Sequence, residues 1–232
     1  MRCQAETRTA DARLHSTSSR NATLCGVQRR RDGWWGIAFL ILLLLQASMV
    51  SVPTAEDSAE HVQTFYAAHG SVIVVAQAIG ALALFPLVMF ARALDRRARA
   101  SDGAGRRWIM SAAGFVVIAE IVTNAVPVVI VMSSATAAVA HTLTKVEDVA
   151  DAILFVALAA FVVAVGRSQA RWILAVGWVS SALMLVHAGL SLFGVSVLQA
   201  IAPLSLVVFL LALSIRLLVG PVPKPERDAP SG

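Results

Sequence analysis

The chain has 232 residues, of which 58% are hydrophobic and only 14% are charged, and its mean hydropathy is +0.75. Because charged residues make up about a quarter of a typical soluble domain, this composition excludes a soluble globular protein and indicates a membrane protein. The net charge of +5 and the pI of about 10.2 do not indicate a nucleic-acid partner, because the basic residues lie between the apolar segments.

Six apolar segments are long enough to cross a bilayer, whose core requires about 20 residues of helix. They cover residues 34–52, 69–91, 108–132, 147–166, 172–193 and 198–218. Tryptophans open the first, third and fifth segments, as expected of residues at a membrane interface. The sequence therefore predicts an all-α fold, a polytopic membrane protein whose six transmembrane helices form a bundle over residues 34–219.

The charges between these segments predict the orientation of the chain. Of the 19 lysines and arginines, all except Lys145 lie in the two terminal segments, in the second and fourth connections, or at the end of the sixth span. The positive-inside rule then predicts a multi-pass protein of the cell (cytoplasmic) membrane with both termini in the cytoplasm. Residues 1–33 and 220–232 lack apolar periodicity, so we predict two disordered cytoplasmic tails, the first of them basic.

The first connection, TAEDSAEHVQTFYAAH (54–69), is acidic and lies on the opposite side of the membrane. It spaces Val62, Phe65 and Tyr66 for one face of a short helix. We therefore predict a helix that lies on the membrane surface before the second span begins.

The fourth span predicts structural roles for two acidic residues. Its uncharged part, residues 152–166, is too short to cross the bilayer, so the helix must begin within the preceding TKVEDVAD. Thr144 and Glu147 have the S/T-x-x-E spacing of a capping box, and Asp148 suits the positive end of a helix dipole. Asp151 lies one turn deeper and has no such explanation.

Two long stretches of the chain resemble a known group of proteins. These are HVQTFYAAHGSVIVVAQAIGALALFPLVMFARAL (61–94) and DAILFVALAAFVVAVGRSQARWILAVGWVSSALMLV (151–186). Together they resemble a widespread group of uncharacterised bacterial, especially actinobacterial, integral membrane proteins with six helices, a polar first connection and an RW entry to the fifth helix. The resemblance covers residues 33–219 and implies the six-helix fold, but it implies no activity and no functional residues.

Polar residues recur at one depth inside the apolar spans. Glu120 lies 12 residues after Trp108, or about 18 Å along the helix, inside a bilayer core about 30 Å thick. A glutamate cannot reach water from that depth, so it requires a partner, a proton or a wet cavity. Asn124 follows one turn later. The same count places three more side chains within a layer about 4 Å thick around Glu120: Gln77, Asp151 and His187.

This layer supports two interpretations. In the first, its side chains form a site that binds or transports a small ligand, a cation or a proton, since intramembrane acids often line cavities and pathways. The candidate residues are Glu120, Asn124, Asp151, His187 and Gln77. In the second, the same residues only lock helix packing through hydrogen bonds, and the protein has a structural or partner-binding role.

An enzyme is the less favoured interpretation, and we predict no catalytic residue, metal site or cofactor. The stretch GWVSSA lacks the G-x-S-x-G spacing of a nucleophile elbow, and Cys3 and Cys25, both in the N-terminal tail, form no metal motif. His69 and His141 belong at or beyond the membrane surface, away from His187. The expected partner is the lipid bilayer, with a small ligand or ion and further copies of the chain as additional candidates.

Overall fold

The computed structural model describes residues 15–100, 108–195 and 197–219. Within these residues the chain forms six helices and no strand, which confirms the predicted all-α class. Each helix contains a segment long and apolar enough to cross a membrane. The helices are α1 (His15–Met49), α2 (Ala59–Ala100), α3 (Trp108–Ser133), α4 (Ala137–Gly166), α5 (Arg171–Ser191) and α6 (Ile201–Val219).

Helices α1, α2 and α4 begin at least ten residues before the predicted spans. Residues 15–33, which we predicted to be disordered, belong to α1, and the remaining parts of the predicted tails, residues 1–14 and 220–232, lie outside the described residues. Within the helical part, Asp32 is 5% exposed and accepts hydrogen bonds from Arg96 at 3.2 Å and from Arg97 at 3.4 Å. These ion pairs join α1 to α2 before the apolar span begins.

The separate surface helix predicted before the second span is wrong, because α2 runs without interruption from Ala59. Ser58 precedes it, and the Ser58 hydroxyl accepts a hydrogen bond from the His61 N–H at 3.2 Å, as in a helix N-cap. Val62 and Tyr66 are buried inside the bundle instead of facing a membrane surface. The apolar face that suggested a surface helix is therefore the first part of the second transmembrane helix.

The predicted capping box at the fourth span is also wrong, because α4 begins at Ala137. Thr136 is the residue before the helix, and its extended backbone (φ −65°, ψ 159°) is typical of an N-cap position. Thr144 and Glu147 therefore lie inside the helix, where the Thr144 hydroxyl donates to the Ala140 carbonyl at 3.1 Å. The alanine-rich start of α4 favours this earlier beginning.

The six helices form a ring in which consecutive helices pack side by side, α6 closes against α1, and α2 also contacts α4. Glycine on α1 permits the closure. A Cβ atom at Gly36 would overlap the Ser214 hydroxyl of α6 and would lie 2.8 Å from a ring carbon of Phe90 on α2. Small residues at such contacts let helix backbones approach closely in membranes.

The connections lie alternately at two ends of the bundle. One end, the basic end, carries the arginines at the end of α2, between α4 and α5, and near the end of α6. The other, the acidic end, carries three connections, at residues 50–58, 134–136 and 192–200, with Glu56 and Asp57 in the first.

Buried apolar side chains form two separate cores. The main core contains residues from all six helices and extends towards the basic end. The small core lies at the acidic end, where Val62, Tyr66 and Ile73 of α2 pack with residues of α3 and α4. On α2, α3 and α4 the two cores are separated by stretches that contribute no buried residue to either core. These stretches are residues 74–82, 120–125 and 141–153. The candidate site lies in these stretches.

Candidate functional site

Three amide side chains and one carboxylate form a hydrogen-bonded network between the two cores. The Gln46 amide of α1 donates to Gln77 Oε1 of α2 at 3.3 Å and to Asn124 Oδ1 of α3 at 3.0 Å. The Asn124 amide in turn donates to Glu120 Oε1 at 3.1 Å. We call these four residues the polar network. The bonds from Gln46 through Asn124 end at the Glu120 carboxylate, whereas the bond to Gln77 branches away from it.

The spacing of residues on α3 and a glycine on α2 explain why these side chains meet. Glu120 and Asn124 are four residues apart on α3 and therefore lie on one face of the helix. Gln46 fits against α2 because Gly80 has no side chain: a Cβ atom there would lie 2.5 Å from Gln46 Nε2 and 2.6 Å from Gln46 Oε1. The position of the Gln46 amide thus depends on a glycine of the neighbouring helix.

Three acidic side chains of α4 continue the polar region towards the acidic end. Asp151 is close enough to Glu120 and to Asp148 to interact electrostatically with both. Glu147 is 7% exposed and its Oε2 accepts a hydrogen bond at 3.1 Å from the hydroxyl of Tyr66, itself 3% exposed. Among the described residues, no lysine or arginine forms an ion pair with any of these four carboxylates.

His187 shares the depth of the layer but lies outside the polar network. Its ring packs edge-on against Phe155 of α4, with the ring centroids 4.5 Å apart. The His187 side chain is buried, and within the described part of the chain its Nδ1 has no hydrogen-bond partner. The structure therefore brings Gln77, Asn124 and Glu120 into one network and Asp151 beside it, whereas His187 packs one helix further round the ring.

Sequence reasoning missed Gln46, Glu147 and Tyr66 as parts of the site. A signal for Gln46 was present, because it follows Trp34 by the same 12 residues that separate Glu120 from Trp108. Glu147 was assigned to a helix cap on its spacing alone, and Tyr66 to a surface helix. No such count could have found their contact, since it depends on α2 packing against α4.

The arrangement contains oxygen and amide groups suited to a proton or a hard cation. Within the described residues, no group of three or more histidine, cysteine, aspartate or glutamate side chains has a metal-binding arrangement. The adjacent Ser180 and Ser181 hydroxyls donate to backbone carbonyls of neighbouring helices, at Ser205 and at Ala159, both at 3.1 Å. These serines join α5 to α6 and to α4.

The six apolar helices define a multi-pass membrane protein with a polar, acidic layer between two apolar cores. Comparisons of the chain with protein-family models, with curated proteins and with solved structures find no match. The resemblance to six-helix actinobacterial membrane proteins stays a prediction.

Proposed function

We propose that this membrane protein binds a proton or a small cation in its polar layer, with the Glu120 carboxylate as the central acceptor. The observation that carries the proposal is that Glu120 and Asp151 interact electrostatically between two apolar cores, with no lysine or arginine paired to either among the described residues. Gln77, Asn124 and Gln46 would hold the Glu120 side chain in place.

Electrostatics supports a positively charged ligand. An isolated charge near the centre of a membrane costs about 3 kcal/mol, and two neighbouring carboxylates raise that cost by repelling each other. A proton or cation between Glu120 and Asp151 would neutralise charge at the place where no side-chain cation does so. The Asn124 amide that donates to Glu120 compensates part of the cost, but it carries no charge.

The surroundings of the layer support binding more than conduction across the membrane. The carboxylates at 147, 148 and 151 of α4 lie between the acidic end and Glu120 and interact electrostatically with one another or with Glu120. On the other side of Glu120, buried apolar residues of the main core follow on every helix, beginning on α3 with Ala119 and Val116. Transport would therefore require the helices of the main core to separate.

The proposal is tested by measuring ligand-dependent stability of the purified protein. Thermal unfolding is followed in detergent over a range of pH and in sodium, potassium, magnesium and calcium chloride, because a ligand that binds the folded state raises its unfolding temperature. Glu120→Gln keeps the shape and the hydrogen-bond acceptor but cannot ionise. The matched control is Glu60→Gln, which changes an exposed glutamate on α2.

We expect the wild type and Glu60→Gln to respond equally to protons or to one of the cations, and Glu120→Gln to lose that response. The same response in Glu120→Gln as in the wild type would show that Glu120 is not the acceptor. A wild type that responds to none of these ions would remove the proposal altogether.

The alternative is that the polar network only locks helix packing, and one observation favours it: the hydrogen bonds of Gln46 and Asn124 join α1, α2 and α3. Such bonds contribute about 0.6 kcal/mol each in membranes. Under this alternative Glu120→Gln is nearly silent in every condition. Glu120→Ala then destabilises by about 1–3 kcal/mol, because Asn124 loses its acceptor.

We also propose the orientation given by the basic residues, with the basic end of the bundle in the cytoplasm and the acidic end outside the cell membrane. The ligand would then come from the external side. The bilayer is the partner that the apolar helices imply, and assembly with further copies of the chain remains a prediction. A role for His187 in ligand binding would require a shift of α5 towards Asp151.

A further inference from the structure

The first connection, residues 50–58, crosses the acidic end of the helix ring, and we call it the strap. It begins after α1 and ends before α2, yet its contacts are with more distant parts of the ring. The Ala55 N–H donates to Asp148 Oδ2 of α4 at 2.9 Å. The Glu56 carboxylate occupies the space that a Cβ on Gly194, in the α5–α6 connection, would need.

A single residue of the strap, Ala55, carries its attachment to α4. Besides the bond from its N–H to Asp148, the Ala55 carbonyl lies 3.1 Å from His141 Nε2. Because a carbonyl can only accept, the His141 Nε2–H is the donor. His141 and Asp148 are seven residues apart and therefore project from the same face of α4. Both the N–H and the carbonyl of Ala55 thus bind side chains of α4.

The rest of the strap is internally ordered and partly buried. The Thr54 N–H donates to Asp57 Oδ2 at 2.9 Å, and the Asp57 N–H donates to the Thr54 carbonyl at 3.1 Å, which closes a tight turn around Ala55. Pro53 is buried, and Val52 packs against the small core. A strap with its own turn can move as a unit when the contacts at Ala55 break.

Immediately below the strap lie the carboxylates of α4. Asp148, which binds Ala55, is next to Glu147, and Glu147 binds the buried hydroxyl of Tyr66. Asp151 follows one turn further along α4 and interacts with Glu120. Carboxylates of the strap, Glu56 and Asp57, also face Asp148. Negative charges of the strap and of α4 thus repel each other around the Ala55 contacts, which opposes the closed position.

We propose that the strap is a lid over the polar layer, latched by His141 and Asp148 at Ala55, and that a ligand enters the layer only from the acidic end when this latch opens. This inference rests on the proposed function for the role of the ligand, but the movement of the lid can be measured without any ligand. A cation bound among the carboxylates of the strap and of Asp148 would relieve their repulsion and therefore favour the closed strap.

The lid is tested by the reactivity of a buried cysteine under the strap. Thr144 is 0% exposed and lies against the Tyr66 hydroxyl, and Thr144→Cys nearly conserves its volume. This change is made after replacing Cys3 and Cys25 by serine. A bulky, charged maleimide is applied to the protein in nanodiscs, and its rate of reaction is measured. Ala157→Cys, 0% exposed in the main core, is the matched reporter for general loosening of the bundle.

The latch is then removed by His141→Ala and by Asp148→Ala, with Ser51→Ala as the control at an exposed position of the strap. We expect each latch variant to raise the rate at Thr144→Cys by about tenfold, as the loss of a hydrogen bond to a buried or charged partner implies. Ser51→Ala should leave the rate unchanged, and Ala157→Cys should stay unreactive in every variant.

Three results would overturn the lid. The first is an unchanged rate at Thr144→Cys in both latch variants, and the second is a high rate that is already present in the wild type. The third is an equal rise at Ala157→Cys, since that would mean general unfolding. Failure of the proposed function is distinguishable, because it appears as a lost difference between wild type and Glu120→Gln in ion-dependent stability, whatever the cysteine rates are.

Discussion

Replacing Gly80 by alanine is a direct test of the polar network, because the added Cβ would lie 2.5–2.7 Å from the amide atoms of Gln46. Those atoms are the far end of a flexible side chain, so Gln46 can rotate away and the steric cost is small. Rotation breaks its hydrogen bonds to Gln77 and to Asn124. The expected effect is therefore the loss of two hydrogen bonds rather than a backbone clash.

Two intramembrane hydrogen bonds contribute about 1.2 kcal/mol at the average value of about 0.6 kcal/mol each. Alanine in place of glycine raises the free energy of unfolding by about 0.5–1 kcal/mol, because it lowers the backbone entropy of the unfolded chain. The comparison that isolates the network is Gly114→Ala on α3, where a Cβ would meet nothing within 4 Å. We expect Gly80→Ala to be less stable than Gly114→Ala by about 1 kcal/mol.

The assay is reversible unfolding in mixed micelles, with a double-mutant cycle between Gly80→Ala and Gln46→Ala. Since Gln46→Ala removes the amide that the new Cβ displaces, adding Gly80→Ala to it should cost nothing further. Equal stabilities of Gly80→Ala and Gly114→Ala would refute the proposed contact. So would a cost of Gly80→Ala that is the same with and without the Gln46 side chain.

Two further predictions concern orientation and ring closure. Reporter fusions after Ala100 should be cytoplasmic and fusions near Glu60 external; an external signal at Ala100 would contradict the orientation drawn from the arginines. Gly36→Ala should destabilise the folded protein by about 1–3 kcal/mol in the same unfolding assay, because its Cβ overlaps Ser214 and crowds Phe90 where α1 meets α6. Gly189→Ala, with nothing within 4 Å, is the control, and equal stability of the two variants would show that the closure tolerates a side chain.

Depth along a helix was predictable from the sequence, whereas direction around the helix was not. The rise of 1.5 Å per residue is fixed, so counting from Trp108 and back from Ala91 was enough to place Glu120 and Gln77 at one level. In the structure the two side chains are joined through Gln46 and Asn124. His187 was placed by the same count, but α5 presents it to Phe155, because its direction depends on the packing of the whole ring.

Helix beginnings were the least predictable part of the fold. Hydropathy finds the apolar part of a helix, but α1 and α2 begin in polar sequence, and α4 begins in an alanine-rich stretch before the predicted span. Asp32 is held by Arg96 and Arg97, and Tyr66 by Glu147. A side chain that looks exposed beside an apolar run can thus be buried when a helix of another segment packs against it. This is why Glu147 was assigned to a cap although it belongs to the site.

Asp151 provides the prediction that best separates a binding layer from a packing lock. A lock needs only hydrogen bonds between helices, and the bonds from the Gln46 amide to Gln77 and to Asn124 provide them without charge. A carboxylate at Asp151 beside that of Glu120 adds repulsion, which is useful only if a positive ligand relieves it. Asp151→Asn removes that repulsion at almost unchanged volume.

If the layer binds a proton or a cation, Asp151→Asn should raise the free energy of unfolding at neutral pH without added cations, by up to about 3 kcal/mol, the cost of a central intramembrane charge. The same change should weaken the response to the ion that stabilises the wild type, so stability and binding would move in opposite directions. Unfolding in mixed micelles gives the first quantity, and ion titrations give the second. The conservative variant Asp151→Glu, which keeps the charge, should not be stabilised. Destabilisation by Asp151→Asn with an unaltered ion response would mean that Asp151 serves packing alone, and the binding proposal would lose the observation on which it rests.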